Sequence, residues 1–243
     1  MDFIIDIGNT RVKYAVFKKG SLYTKGYSTD NEIGSLLNSL AKDVKSVVVS
    51  SVKPISKAFL AVVEKNALNC FFLTAELQMP FKNNYETPNS LGADRLALAA
   101  GGLKAYPNTN VLIVDIGTCM TFDFIDADAV YHGGAISPGL KMRLKALNAY
   151  TGMLPLVDLK SPVDLIGRNT KESILSGVVN GMLKELDGII DEYKLRYADV
   201  KVILTGGDIT FFDKKLKNSI FADAEILLKG MHFILEQHAD KKI

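Results

Sequence analysis

The sequence has no tryptophan, only two cysteines in 243 residues and almost no net charge. Cys70 and Cys119 lie far apart, without a CxxC or a Cys/His spacing, which excludes a disulfide framework and a zinc module and leaves two reduced, core-type thiols. Lys+Arg 29 against Asp+Glu 27 gives a net charge of +2, without the concentrated basic face that nucleic-acid and membrane-surface binders need. No apolar run approaches the ~18–20 residues of a membrane span, and the opening Met1-Asp2-Phe3 lacks the features of a signal peptide, so a cytoplasmic location is expected. GxxxxGK[ST], a strand-coupled GxGxxG and HExxH are all missing, which removes the P-loop, the dinucleotide fingerprint and the zinc protease site. His132, His232 and His238 are scattered and read as surface or interface residues rather than a triad or metal cluster.

What is there is a chain 48% hydrophobic, long enough for one large domain or two small ones. Phe3-Ile4-Ile5 runs into Asp6-Ile7-Gly8-Asn9-Thr10, and extended character resumes over Val12 to Phe17, a predicted hairpin. Further strands are expected near Leu22 to Tyr27, Val47 to Val49 and Cys70 to Leu73. Helices are expected over Glu32 to Leu40, from Pro54 to about Lys65, and over Asp94 to Tyr106. Then the chain starts over. Val111 to Val114 leads into Asp115-Ile116-Gly117-Thr118, Met120 to Ile125 returns, and extended chain near Val130 to Ile136 precedes a helix from about Gly139. A long helix over Lys171 to Tyr193 and a buried strand at Val202 to Leu204 follow. A repeat roughly 110 residues apart is too long for a solenoid and indicates a duplicated domain. We divide it at 1–105 and 106–243, with a ligand cleft expected between two helix-covered sheets.

The turns carry the chemistry. A carboxylate at a strand end, followed by glycine, amide and hydroxyl, can cradle phosphate while the acid holds magnesium, although Gly and Asn also suit a plain hairpin turn. The partial copy at Asp115 to Thr118 favours the functional reading. Lys13 is within reach of a phosphate or is simply solvated. Thr205-Gly206-Gly207 adds a glycine turn against which a purine ring can lie, or one that merely precedes a helix. Leu91-Gly92-Ala93-Asp94-Arg95 places an acid and a guanidinium at a helix start. They can accept a hydroxyl proton and clamp an anionic substrate, or serve as a helix-dipole acid and a structural ion pair.

Taken together these residues resemble the type III pantothenate kinases of the actin-like, sugar-kinase and chaperone-ATPase superfamily. The resemblance runs through Asp6-Ile7-Gly8-Asn9-Thr10-Arg11-Val12-Lys13, Tyr85 with Gly92-Ala93-Asp94-Arg95, Asp115-Ile116-Gly117-Thr118, Gly133-Gly134-Ala135-Ile136-Ser137-Pro138-Gly139 and Gly167-Arg168-Asn169-Thr170. It implies an α/β fold of duplicated actin-like (ribonuclease H-like) domains, with mixed sheets flanked by helices and a central nucleotide cleft. It also implies transfer of the ATP γ-phosphate to pantothenate at the start of coenzyme A synthesis. Asp6, Ile7, Gly8, Asn9, Thr10, Arg11, Val12, Lys13 and Thr118 would bind ATP, with Asp6 at Mg²⁺. Asp94 would be the catalytic base, and Tyr85, Gly92, Ala93, Asp94, Arg95 and Thr170 would line the pantothenate pocket. Asp115 would hold a monovalent cation, potassium or ammonium, and Thr170 would come from the partner of a homodimer. Cys119 and Met120 depart from the small Ala and Thr of the family. A kinase of another hydroxylated substrate and a non-catalytic ATP-binding regulator or filament former are the alternatives.

Overall fold

The computed structural model describes residues 1–9, 11–74, 76–159 and 162–239. They form two compact units: one comprises Met1–Pro107, Ala129–His132 and the chain from Glu225, the other Asn108–Asp128 and Gly133–Ala224.

In the first unit, β1 (Asp2–Ile7), β2 (Val12–Lys18) and β3 (Ser21–Ser28) form an antiparallel meander. α1 (Ile33–Leu40) then carries the chain to β4 (Ser46–Ser51), and α2 (Lys57–Lys65) carries it to β5 (Asn69–Phe72). β4 lies parallel to β1 and β5 parallel to β4, so the strand order is β3-β2-β1-β4-β5. Two-residue alternation sorts the sheet. Phe3, Ile5, Ile7, Val12, Val47 and Val49 take one face and pack on Ile33, Leu37, Phe59 and Val63 of the two helices. Burying each such side chain contributes roughly 1.5–3 kcal/mol. The opposite face of β1 therefore carries Asp2, Ile4 and Asp6. It is covered by α3 (Ala93–Ala105) and α6 (Ile226–Ala239), which pack on each other and on strands of this sheet.

The second unit repeats the plan. β7 (Val111–Ile116), β8 (Cys119–Ile125) and β9 (Val130–Pro138) correspond to the meander. α4 (Leu140–Ala149) and α5 (Thr170–Arg196) precede β10 (Lys201–Thr205) and β11 (Phe221–Ala222). The order β9-β8-β7-β10-β11 is that of the first sheet, with β6 (Lys82–Asn83) added on the start of β9, a stretch that belongs to the first unit. Leu112, Val114, Phe122 and Phe124 pack against Ile174, Val178, Met182 and Leu186 of α5.

Three expectations change. α2 starts at Lys57 rather than at Pro54, because Ser56 supplies the cap: its hydroxyl accepts the Phe59 N–H at 3.2 Å. His232 is not a surface residue; it is 1% exposed on α6, stacked on Phe17 with ring centroids 4.0 Å apart and with Nε2 3.2 Å from the Asp2 carboxylate. No helix among the described residues is long and apolar enough to cross a membrane. Cys70 and Cys119 are half-buried rather than core residues, and partial burial pushes the Cys70 thiol up to about 11.

Candidate active site

The two Asp-Ile-Gly turns close differently. In the first unit Ile7 pairs with Val12, and the Gly8 N–H donates to the Arg11 carbonyl at 3.2 Å, so Gly8 and Arg11 close the end of the hairpin. Ile7 and Val12 bury their side chains in the core and bring only backbone to the turn. Asp6 stands beside it, paired across the sheet with Lys13 on β2 and Ser50 on β4. It is a buried carboxylate, 6% exposed. Burial raises its carboxyl above the ordinary 3.8, Lys13 and Ser50 act in the opposite direction, and the charge of Asp94 raises it further.

Asp94 therefore shares the electrostatic surroundings of Asp6. It occupies the first turn of α3, where Oδ1 accepts the Arg95 N–H at 2.9 Å. Gly92 caps this helix, and a side chain there would collide with that same carboxylate oxygen. Arg95 is buried, its guanidinium carbon 5.7 Å from the centre of the Tyr85 ring. The first unit thus gathers Asp6, Lys13, Tyr85, Gly92, Ala93, Asp94 and Arg95. Arg11 lies over Tyr27 of β3 at 4.7 Å, a contact that holds its planar cation beside the turn.

The second unit brings together the copy. Gly117 donates to the Cys119 carbonyl at 2.9 Å, and Gly139 at the start of α4 donates to the Thr118 carbonyl at 3.2 Å. A Cβ on Gly139 would strike the carbonyls of Gly117 and Thr118, so glycine is what lets α4 approach the turn. The corner before α4 is braced by Arg143, which donates to Ser137 Oγ at 2.9 Å and to Glu185 at 2.5 Å. Asp115 pairs in register with Thr121 on β8 and Thr205 on β10. Gly206 follows with φ +103°, and a side chain there would meet the Asp115 carboxylate, which makes this turn the floor beneath Asp115. The short helical turn at Ile209–Phe211 comes after it.

Thr10 lies outside the described residues. Thr170 is exposed at the first position of α5, whose cap is Asn169 accepting the Glu172 N–H at 3.1 Å. Sequence reading missed Ser50 and Thr121, and read Thr205 only as the start of a glycine turn; all three are hydroxyl residues that flank the two aspartates. Only strand register identifies them.

A sheet order used twice, each copy ending an inner strand in an aspartate beside a glycine turn, defines the fold class of the actin-like ATPases and sugar kinases. Solved structures agree. A Campylobacter jejuni protein described as a Baf family transcriptional activator matches with a TM-score of 0.65 at 20% identity, over 98% of this chain and 99% of its own. The ROK hexokinase of Thermus thermophilus matches with a TM-score of 0.52 at 12% identity, over 97% and 99%. Sequence comparison then fixes the family. The type III pantothenate kinase family model matches residues 3–192, and a type III pantothenate kinase of Flavobacterium johnsoniae is 44% identical over 95% of this chain and 96% of its own. The chain belongs to the type III pantothenate kinase family.

Proposed function

We propose that the chain moves the γ-phosphoryl group of ATP to the primary hydroxyl of pantothenate, the first step of coenzyme A biosynthesis, with Asp94 as the base. The observation that carries this reading is the placement of Asp94 beside the Asp6–Lys13 turn in one compact unit, with Arg95 and Tyr85 next to it. The pantothenate hydroxyl oxygen attacks the γ-phosphorus as its proton passes to Asp94, and the bond to the β,γ-bridging oxygen breaks to release ADP. Such transfer needs positioning and charge neutralisation more than covalent help. Gly8, Asn9, Thr10, Arg11 and Lys13 hold the phosphates, with Thr118 assisting, while Tyr85, Gly92, Ala93 and Arg95 orient pantothenate.

Mg²⁺ bound with ATP would neutralise phosphate charge, and Asp6 would hold it. The residues fit it: a buried carboxylate disfavoured in its ionised form gains by meeting a cation, and Mg²⁺ needs only one or two carboxylates when phosphates complete its shell. No cluster of three or more His, Cys, Asp or Glu suited to a metal occurs among the described residues. Asp6 is the Mg²⁺ ligand in this reading. ADP release measured with and without pantothenate, alongside sugars and acetate, tests the substrate. Turnover with a sugar, or ATP-driven sedimentation without turnover, would replace the reading.

Asp115 holds the monovalent cation. Thr121, opposite it, has a buried hydroxyl without a hydrogen-bond partner among the described residues, so a hard oxygen is presented where potassium or ammonium would bind. Replacing potassium or ammonium by sodium should lower the rate, and Asp115→Ala should erase the difference. Equal rates in all salts would reject the site.

The chain acts as a two-fold dimer in which Thr170 completes the partner's pantothenate pocket. Support comes from apolar side chains left in solvent ahead of Thr170, including Tyr150 at 89% and Met153 at 95% exposed, with Leu165 and Ile166. Mixing inactive Asp94→Asn chains with inactive Thr170→Ala chains should restore activity, because one site of the heterodimer carries both lesions and the other neither. A fully active monomer by light scattering would refute the dimer, and a dimer without rescue would refute the shared pocket.

A further inference from the structure

We propose that Ser50 is a positioning residue for Asp6: its buried hydroxyl, in register beside the carboxylate and without a partner of its own in the free chain, donates to Asp6 when Mg·ATP binds and sets the orientation in which that carboxylate meets its ligand. The inference rests on the ATP-binding reading of the β1–β2 turn. Three observations lead to it. Ser50 is 0% exposed, and its Oγ has no hydrogen-bond partner within 3.5 Å among the described residues. A hydroxyl stranded in a core is unfavourable, and the preceding run Val47-Val48-Val49 shows that this strand otherwise fills its interior with hydrocarbon. Its neighbour Ser51 has a local purpose, donating to the Lys53 carbonyl at 2.5 Å, which Ser50 lacks.

The second observation is register. Ser50 faces Asp6 across the parallel β1–β4 pair, and side chains at matched positions of paired strands leave the sheet on the same side. This is the side covered by α3 and α6. The charged groups around Asp6 are Lys13 from β2 and Asp94 from α3; His232 and Glu236 of α6 lie toward Asp2, at the far end of β1. Lys13 carries the attraction and Asp94 the repulsion, but neither is a neutral donor able to fix a rotamer. Ser50, in register beside the carboxylate, carries such a donor.

The third is the duplication. In the other half Thr205 of β10 stands beside Asp115 in the same register, 3% exposed. Both copies of the strand–Asp-Ile-Gly unit place a hydroxyl next to the strand-end aspartate, on the parallel neighbour, where an apolar residue would pack more cheaply. The repeat also names the conservative replacement, since threonine already fills this place once.

The test is a double-mutant cycle. Ser50→Ala and Ser50→Thr are prepared alone and with Asp6→Asn, and each is measured by calorimetric titration with Mg·ATP and by thermal unfolding. Ser50→Ala should bind Mg·ATP about tenfold more weakly, the scale of one hydrogen bond to a charged group, with an unchanged KM for pantothenate and a Tm no lower than that of the parent. Ser50→Thr should restore the affinity, and in the Asp6→Asn background Ser50→Ala should have no further effect. Unchanged affinity in Ser50→Ala, or an equal loss with and without Asp6→Asn, overturns the proposal, as does a lowered Tm that accounts for the loss. If Ser50→Ala does not fold, Ser50→Cys, similar in volume and a weak donor, is judged by the same criteria. A parent chain that binds Mg·ATP but does not phosphorylate pantothenate would overturn the substrate reading alone, and ATP affinity would still decide the role of Ser50.

Discussion

Asp94→Asn should lower kcat by about 10²–10⁴-fold, the usual cost of losing a general base, while the chain stays folded and ATP binds at least as well as before. The second half of that expectation comes from the surroundings of Asp94. Its charge is one of the influences that disfavour the Asp6 anion, and it would repel phosphates as well. Removing the charge relieves both, so a base at this position gives a variant that binds ATP unchanged or more tightly yet turns over slowly. A magnesium ligand would give the reverse, with ATP affinity falling alongside the rate. Asparagine keeps the shape of the side chain, and its amide oxygen can still accept the Arg95 N–H now held at 2.9 Å, so the first turn of α3 should persist. Single-turnover rates, ATP titration and circular dichroism on one preparation separate these outcomes. Near-normal kcat would remove Asp94 as the base.

How much of this was legible in the chain itself differs by level. The hairpin at Asp6 and its copy at Asp115 were readable because a short apolar run ends in an Asp-Ile-Gly turn signal and extended chain resumes after it, a pattern local in sequence. α6 was not. Its apolar residues Ile226, Leu227, Met231 and Ile234 follow a helical period, but Gly230 interrupts the run and argues against a helix on propensity. The structure supplies the reason for that glycine: a Cβ there would strike the Ala97 carbonyl, and one on Gly101 would strike the Ile226 carbonyl, so the two helices cross at their glycines. Such a tertiary requirement leaves no trace in local propensity. The same holds for the site. Asp6, Asp94 and Asp115 sit in motifs that can be read along the chain, whereas Ser50, Thr121 and Thr205 acquire meaning only when strand pairing sets them beside an aspartate. Asp94 and Asp6 are far apart in sequence, and it is the packing of α3 on the polar-ended face of the first sheet that brings them into one field.

Asp6→Asn should produce a strongly impaired enzyme that is more stable than its parent at neutral pH. The carboxyl of Asp6 is raised above 3.8 chiefly by burial, with Asp94 adding to the shift and Lys13 and Ser50 only partly offsetting it. The folded chain therefore holds this proton more tightly than the unfolded chain. Between 3.8 and the higher folded value the native state binds more protons, so this group's contribution to stability falls as pH rises through that window and stays reduced above it. A neutral amide of the same shape escapes the loss. The Tm of Asp6→Asn should exceed that of the parent at pH 7, and the gap should close as pH is lowered through the window. Mg·ATP should reverse the order, because the parent keeps the carboxylate, binds the ligand more tightly and is stabilised more by it. Turnover should fall by about 10²–10³-fold, the scale of one preorganised electrostatic contact. A variant less stable than the parent at pH 7, or a gap that does not change with pH, would show that the ionised Asp6 is not held at a cost in the free enzyme. The destabilisation would then have no part in readying the site for a cation, and the attraction of Lys13 would be the stronger influence on this carboxylate.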